Sequence, residues 1–176
     1  IVILSVGYLN PIKDPDTMIR CFRAIQNELD SILIVVGMDY THGGVRELAS
    51  RLGVLEKVRF EGYVSHDRMI DYYRQADVLL HTSHFESQGM VVAEALASGV
   101  CVVGTEVGLL SDLSRECCVT VARDPEALAK EVIGLVRDPM RMEGMRQRAE
   151  EWSERNSLDN CSQRILDLYN RILEAP

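Results

Sequence analysis

The sequence predicts an α/β protein: a parallel sheet with helices on both faces, closed by helices at its C-terminal end. Short β-branched runs alternate with amphipathic segments through the first two thirds of the 176 residues. Those runs are apolar almost throughout, as strands buried on both faces are, and not alternately apolar and polar. From Pro125 onward the pattern is helical only.

In chain order, Ile1 to Val6 reads as a strand ending at Gly7. Pro15 to Glu28 reads as a helix with Met18, Ile19, Phe22 and Ile25 at 3/4 spacing. Ser31 to Val36 is the next strand, and Gly43 to Leu52 a helix stopped by Gly53. Lys57 to Phe60 is a short strand. Ser65 or Asp67 then caps a helix through Ala76, with Met69, Ile70 and Tyr73 inward. Val78 to Leu80 is a buried strand, and Met90 to Ala97 a helix closed by Gly99. Val100 to Val103 and Cys118 to Val121 complete the strands, before helices over 125–137, 139–152 and 158–174. Pro125 and Pro139 each follow an Asp, the order expected of an N-cap and the first helical residue. There is no internal repeat and no Gly-, Pro- or Ser-rich linker, so residues 1–176 read as one domain.

Lys and Arg number 19 against 27 Asp and Glu, a net charge of −8. That balance argues against a nucleic-acid backbone binder but leaves room for a small anionic ligand held by local donors. No apolar run approaches the roughly 20 residues of a membrane helix. The cysteines, Cys21, Cys101, Cys117, Cys118 and Cys161, form no CxxC pair and read as reduced thiols in a cytoplasmic setting. The chain opens in a strand-like run without an initiator Met, which implies an excised domain.

In parallel sheets the ligand sits outside the carboxyl ends of the strands, at the topological switch point. The informative segments are therefore Gly7–Lys13, Gly37–Gly44, Gly62–Ser65, His81–Gly89 and Gly104–Asp112. Residues 81–99 are the richest. Glu86 precedes a helix that Gly89 opens, and the unsatisfied amides of that first turn are ready to hold an anion. Glu94 lies one turn further on, an acid inside the apolar run Met90–Ala97, where it is costly without a ligand or partner. The plainer account makes Glu86 a solvated loop residue and Glu94 a surface residue.

Together, Ser83, Glu86, Gly89, Glu94, Ala95, Ala97 and Gly99 resemble the signature of the retaining GT-B glycosyltransferases of group 1, or family 4. That signature carries two glutamates separated by seven residues, as Glu86 and Glu94 are. Gly7 to Lys13 resembles the family's first glycine loop, and Phe60-Glu61-Gly62-Tyr63-Val64 its Phe-x-Gly loop. Ala76-Asp77-Val78 and Gly99 to Gly108 resemble two further motifs. The likeness runs over about residues 2 to 140 and is to the C-terminal, donor-binding, Rossmann-like domain; the N-terminal acceptor domain is absent from this chain.

The resemblance implies binding of a UDP-, GDP- or ADP-type sugar with no cofactor. Lys13 would neutralise the donor diphosphate, and Glu86 would meet the transferred sugar's hydroxyls; these are the catalytic candidates. Glu94 would accept from the ribose, and the Gly89, Met90 and Val91 amides would hold phosphate. The Tyr63 and Val64 backbone would contact the base, while Gly7 lets the first loop approach. The acceptor, a sugar or lipid, and any peripheral membrane contact would belong to the absent half, leaving this fragment inactive by itself. Tyr8 stands where the family carries Arg, with Arg20 a candidate substitute, and Asp112 is a weaker candidate.

Asp14-Pro15-Asp16 spells a metal-binding DxD, yet its place suits helix capping. His42, His66, His81 and His84 lack metal-ligand spacing, so no metal site is expected. His84 stands near Glu86 on the same loop. Two other readings stay open: a non-catalytic interaction domain that lost its site, which Tyr8 favours, and a GT-B sugar-nucleotide epimerase, which the glutamate spacing disfavours.

Overall fold

The computed structural model describes residues 1–113 and 117–174. Six strands run in chain order: β1 (Val2–Val6), β2 (Ile32–Val36), β3 (Val58–Gly62), β4 (Val78–His81), β5 (Cys101–Thr105) and β6 (Cys118–Val121). They form one parallel sheet in the order β3-β2-β1-β4-β5-β6. The direction of winding reverses between β1 and β4, and that is the switch point at which a crevice opens.

The helices are α1 (Pro15–Gln26), α2 (Gly44–Arg51), α3 (His66–Gln75), α4 (Met90–Ala97), α5 (Leu109–Asp112), α6 (Pro125–Val136), α7 (Pro139–Arg155) and α8 (Leu158–Glu174). Successive strand residues point to opposite faces. Ile3, Leu33, Val35, Val78 and Leu80 thus pack beneath Met18 and Phe22 of α1, Leu48 of α2 and Leu128 of α6. Leu4, Ile34, Leu79 and Val102 face Tyr73 of α3, Val92 and Leu96 of α4, and Leu110 of α5. Helices cover both faces, as the uninterrupted apolar strands require.

The differences from expectation are local. α1 ends two residues early, a single 3₁₀ turn at Leu55–Lys57 precedes β3, and α5 is an additional short helix. Ser65 takes the N-cap position of α3 without a side-chain bond. The inward face of α3 is Met69, Tyr72 and Tyr73, whereas Ile70 is exposed. Gly104 lies inside β5 instead of following it. On α8, Ile165, Leu168, Tyr169 and Ile172 are all exposed.

Asp14 does cap α1. It accepts from Thr17 N at 3.2 Å and from Thr17 Oγ1 at 2.7 Å, with Pro15 as first helical residue. Among the described residues no three His, Cys, Asp or Glu side chains gather as a metal site, and no helix is long and apolar enough to cross a membrane. Burial raises the thiols of Cys21, Cys101 and Cys118 above the ordinary cysteine range, which keeps them protonated.

Candidate active site

The crevice, about 390 Å³, is built from the loops that leave β1, β2 and β3 and from the first turns of α4. Gly7, Tyr8 and Lys13 line one side, Gly37 the floor, Tyr63, Val64, His66 and Met69 a second side, and Val91 and Glu94 a third. Six of the nine expected site residues thus face a common space: Gly7, Lys13, Tyr63, Val64, Val91 and Glu94. Glu86 reaches the same place through an ion pair with the Lys13 ammonium. Gly89 is the N-cap of α4 and Met90 its first residue, half-exposed, with no side chain capping the helix. Asp112 is elsewhere, beside Trp152 and Arg155. Among the described residues Lys13 is the one Lys or Arg that lines the crevice, and Arg20 is not there to take the place of the Arg the resemblance expects at position 8.

The floor is shaped by glycine. At Gly37, φ is +144°, and a β carbon would stand 1.9 Å from the Gly7 carbonyl oxygen. The β1 and β2 loops are joined there: Gly7 N donates to Val36 O, Leu9 N to Met38 O and Tyr40 N to Leu9 O. Tyr8 and Tyr40 meet edge to face above that seam, ring centres 5.5 Å apart. A β carbon at Gly7 would instead touch the Lys13 methylenes at 3.4–3.6 Å, so the lysine stem lies across that glycine.

The loop holding Glu86 is tied on several sides. Thr82 Oγ1 donates to the carbonyls of Lys13 (2.9 Å) and Asp14 (3.1 Å), and His84 N to Ile12 O (2.7 Å). Thr105 Oγ1 donates to Ser83 O at 2.6 Å, and Leu109 N to Gln88 O at 2.7 Å. Ser83 Oγ donates to Glu86 Oε1 at 2.7 Å. The imidazole of His81 lies buried with Nε2 3.3 Å from the same oxygen, off the geometry of a hydrogen bond. His84 is engaged elsewhere: Nε2 lies 3.3 Å from Asp14 Oδ2, and Nδ1 meets the Arg123 guanidinium.

The proximity of His81, then the bonds from Lys13 and Ser83, outweigh burial and hold the Glu86 carboxyl down at about 2. A depressed carboxyl contributes stability that is present in full above its unfolded value near 4.5 and is lost as pH falls through about 2. We expect the stability difference between wild type and Glu86→Gln to shrink by about 1–2 kcal/mol between those pH values, after allowance for solvent screening. Urea titrations in that window measure it; a difference independent of pH would contradict the assignment.

Glu94 has the partner its apolar neighbourhood demands. Tyr73 Oη donates to its Oε2 at 2.7 Å, which leaves the other oxygen for the crevice. Burial, then this carboxylate, push the Tyr73 phenol far above its usual range. Tyr73 and His81 are the neighbours of the two candidate acids that sequence reading missed. A histidine ending the otherwise apolar run Val78–His81 was the available signal; Tyr73 gave none, because it belongs to the apolar face of another helix.

A 3-2-1-4-5-6 parallel sheet with its crevice at the switch point defines a Rossmann-like α/β domain of the kind found as the C-terminal domain of GT-B glycosyltransferases. The chain belongs to the glycosyl transferases group 1, whose family model matches residues 1–152. It is 32% identical to D-inositol 3-phosphate glycosyltransferase 2 of Catenulispora acidiphila, over 98% of this chain and 44% of that protein. It is 33% identical to D-inositol 3-phosphate glycosyltransferase of Thermobispora bispora, over the same shares, 98% and 44%. The chain thus spans less than half the length of these curated relatives. Among solved structures, the C-terminal domain of a glycosyl transferase group 1 family protein from Francisella tularensis superposes with a TM-score of 0.80 at 18% identity, covering 88% of this chain and 85% of that one. Anabaena HepE in complex with UDP-glucose gives 0.83 at 20% identity, covering 97% and 48%.

Proposed function

We propose that this chain is the donor-binding half of a retaining glycosyltransferase that uses a nucleoside-diphosphate sugar. The observation that carries this reading is the convergence of Lys13, Glu86 and Glu94 with the uncapped start of α4 around one crevice. The diphosphate lies between the Lys13 ammonium and the amides of Gly89, Met90 and Val91, where the helix dipole favours negative charge. Glu94, fixed by Tyr73, accepts from the ribose hydroxyls through its remaining oxygen. The backbone of Tyr63 and Val64 receives the base, and Glu86 meets the hydroxyls of the transferred sugar. Negative charge grows on the leaving diphosphate as the glycosidic bond breaks, and Lys13 with the α4 amides stabilises it there. Glu86 positions the sugar and balances charge; it is not a covalent nucleophile in this reading. No metal or cofactor is required. The acceptor, a sugar or lipid, is held by the half of the protein outside this chain.

HepE's complexes with UDP and with UDP-glucose support a nucleotide-sugar donor, and the names of the inositol-phosphate relatives support glycosyl transfer. Calorimetric titration with UDP-, GDP- and ADP-sugars tests the site. One donor class should bind, and Lys13→Ala or Glu94→Ala should weaken it about 10- to 100-fold, the loss of a charge-assisted contact. No heat with any nucleotide would refute the reading. Anomeric analysis of the product made by the full-length protein tests retention.

A further inference from the structure

His81 is 4% exposed, and its Nε2 is buried without a hydrogen-bond partner. A buried polar atom left short of a full hydrogen bond is costly, so packing alone is a poor account of a histidine here. Nε2 lies 3.3 Å from Glu86 Oε1, an oxygen already taken by the Lys13 ammonium and the Ser83 hydroxyl. Two of the three groups are hydrogen-bonded to it; the third sits just outside hydrogen-bond geometry, close enough to help hold the carboxyl down.

Lys13 is the member of this group able to leave. Its side chain is partly exposed, it lines the crevice, and its methylenes lie across Gly7, where no β carbon obstructs them. With Tyr8 at the position where a second cation was expected, a diphosphate in the crevice finds no other Lys or Arg among the described lining residues. Taking Lys13 would strip a largely buried carboxylate of its counter-charge, a costly event unless another donor replaces it.

We propose that Lys13 exchanges Glu86 for the donor diphosphate while His81 Nε2–H takes its place on Glu86, which makes His81 a positioning residue for the reaction. Glu86 then competes with the nucleotide for Lys13 until the donor arrives. Afterwards it is held from beneath by His81 and Ser83, with its other oxygen turned to the sugar. The inference rests on the donor-site reading above and adds to it an order of events and a role for His81.

A double-mutant cycle read by calorimetry with UDP, GDP or ADP (whichever binds wild type) decides it. Glu86→Gln should bind the bare nucleotide about 3- to 10-fold tighter, because the competitor is gone. His81→Phe should bind it about 5- to 10-fold more weakly, but within about twofold of its parent when Glu86→Gln is already present. His81→Gln, which keeps an N–H donor, should recover most of the loss, and His81→Leu carries the same cycle if the phenylalanine variant fails to fold. Equal losses in both backgrounds would show a merely structural histidine, and weaker binding by Glu86→Gln would show no competition. Either result overturns the exchange and leaves the donor site standing; a wild type that binds no nucleotide overturns both.

Discussion

Gly37→Ala is expected to destabilise the protein by about 3–5 kcal/mol and to lower Tm by about 8–15 °C. Two costs add. The backbone at φ +144° lies where side-chain-bearing residues are rarely found, and the new methyl would lie 1.9 Å from the Gly7 carbonyl oxygen. No rotamer relieves that contact, since the clashing atom is backbone. The loops after β1 and β2 must part, breaking the bonds from Leu9 N to Met38 O and from Tyr40 N to Leu9 O. Gly7→Ala is the control: it has a similar φ, but its methyl would touch only the flexible Lys13 stem, so the loss should be about half as large. Thermal melts of the two variants separate these terms. Equal melting temperatures would mean that the close approach of the two loops contributes nothing.

Gly108→Ala is expected to act on the chemistry more than on the fold. A β carbon there would lie 2.7 Å from Glu86 Cβ and 2.8 Å from Gln88 O, at φ +53°. The loop carrying Glu86 must retreat by about 1 Å, a displacement that can cost about 100-fold in turnover when it moves a reacting group. Stability should fall by about 2–3 kcal/mol, chiefly through the strained backbone and the weakened Leu109 N to Gln88 O bond. In the full-length protein, turnover should drop about 100-fold while nucleotide affinity falls far less, because Glu94 and the Tyr63 turn are untouched. Steady-state kinetics beside nucleotide titration reads this split. Parallel losses in both would place Gly108 in general support of the crevice instead.

The strands and most helices were legible because their physics is local. β-Branched runs bounded by glycine specify buried strands, and Asp-Pro pairs mark the starts of α1, α6 and α7. What failed to show was short or a matter of phase. α5 has four residues, too few for any period to register. In α3 the apolar set Met69, Ile70, Tyr72 and Tyr73 admits two faces, and only packing against Leu79 and Val92 selects the one that leaves Ile70 out. The acid pair and Lys13 were legible from spacing and resemblance. Their partners were not: Tyr73 to Glu94 joins two helices, and His81 to Glu86 depends on how a loop folds back over its own strand. Such pairings are settled by how the chain folds, and neither periodicity nor spacing registers them.

The threonine tether has a mechanical consequence. Thr82 grips two consecutive carbonyls of the β1 loop, and His84 a third, so the wall bearing the ammonium and the wall bearing its carboxylate travel as a single jaw. Parting the two walls to admit a bulky guest would have to break those bonds first.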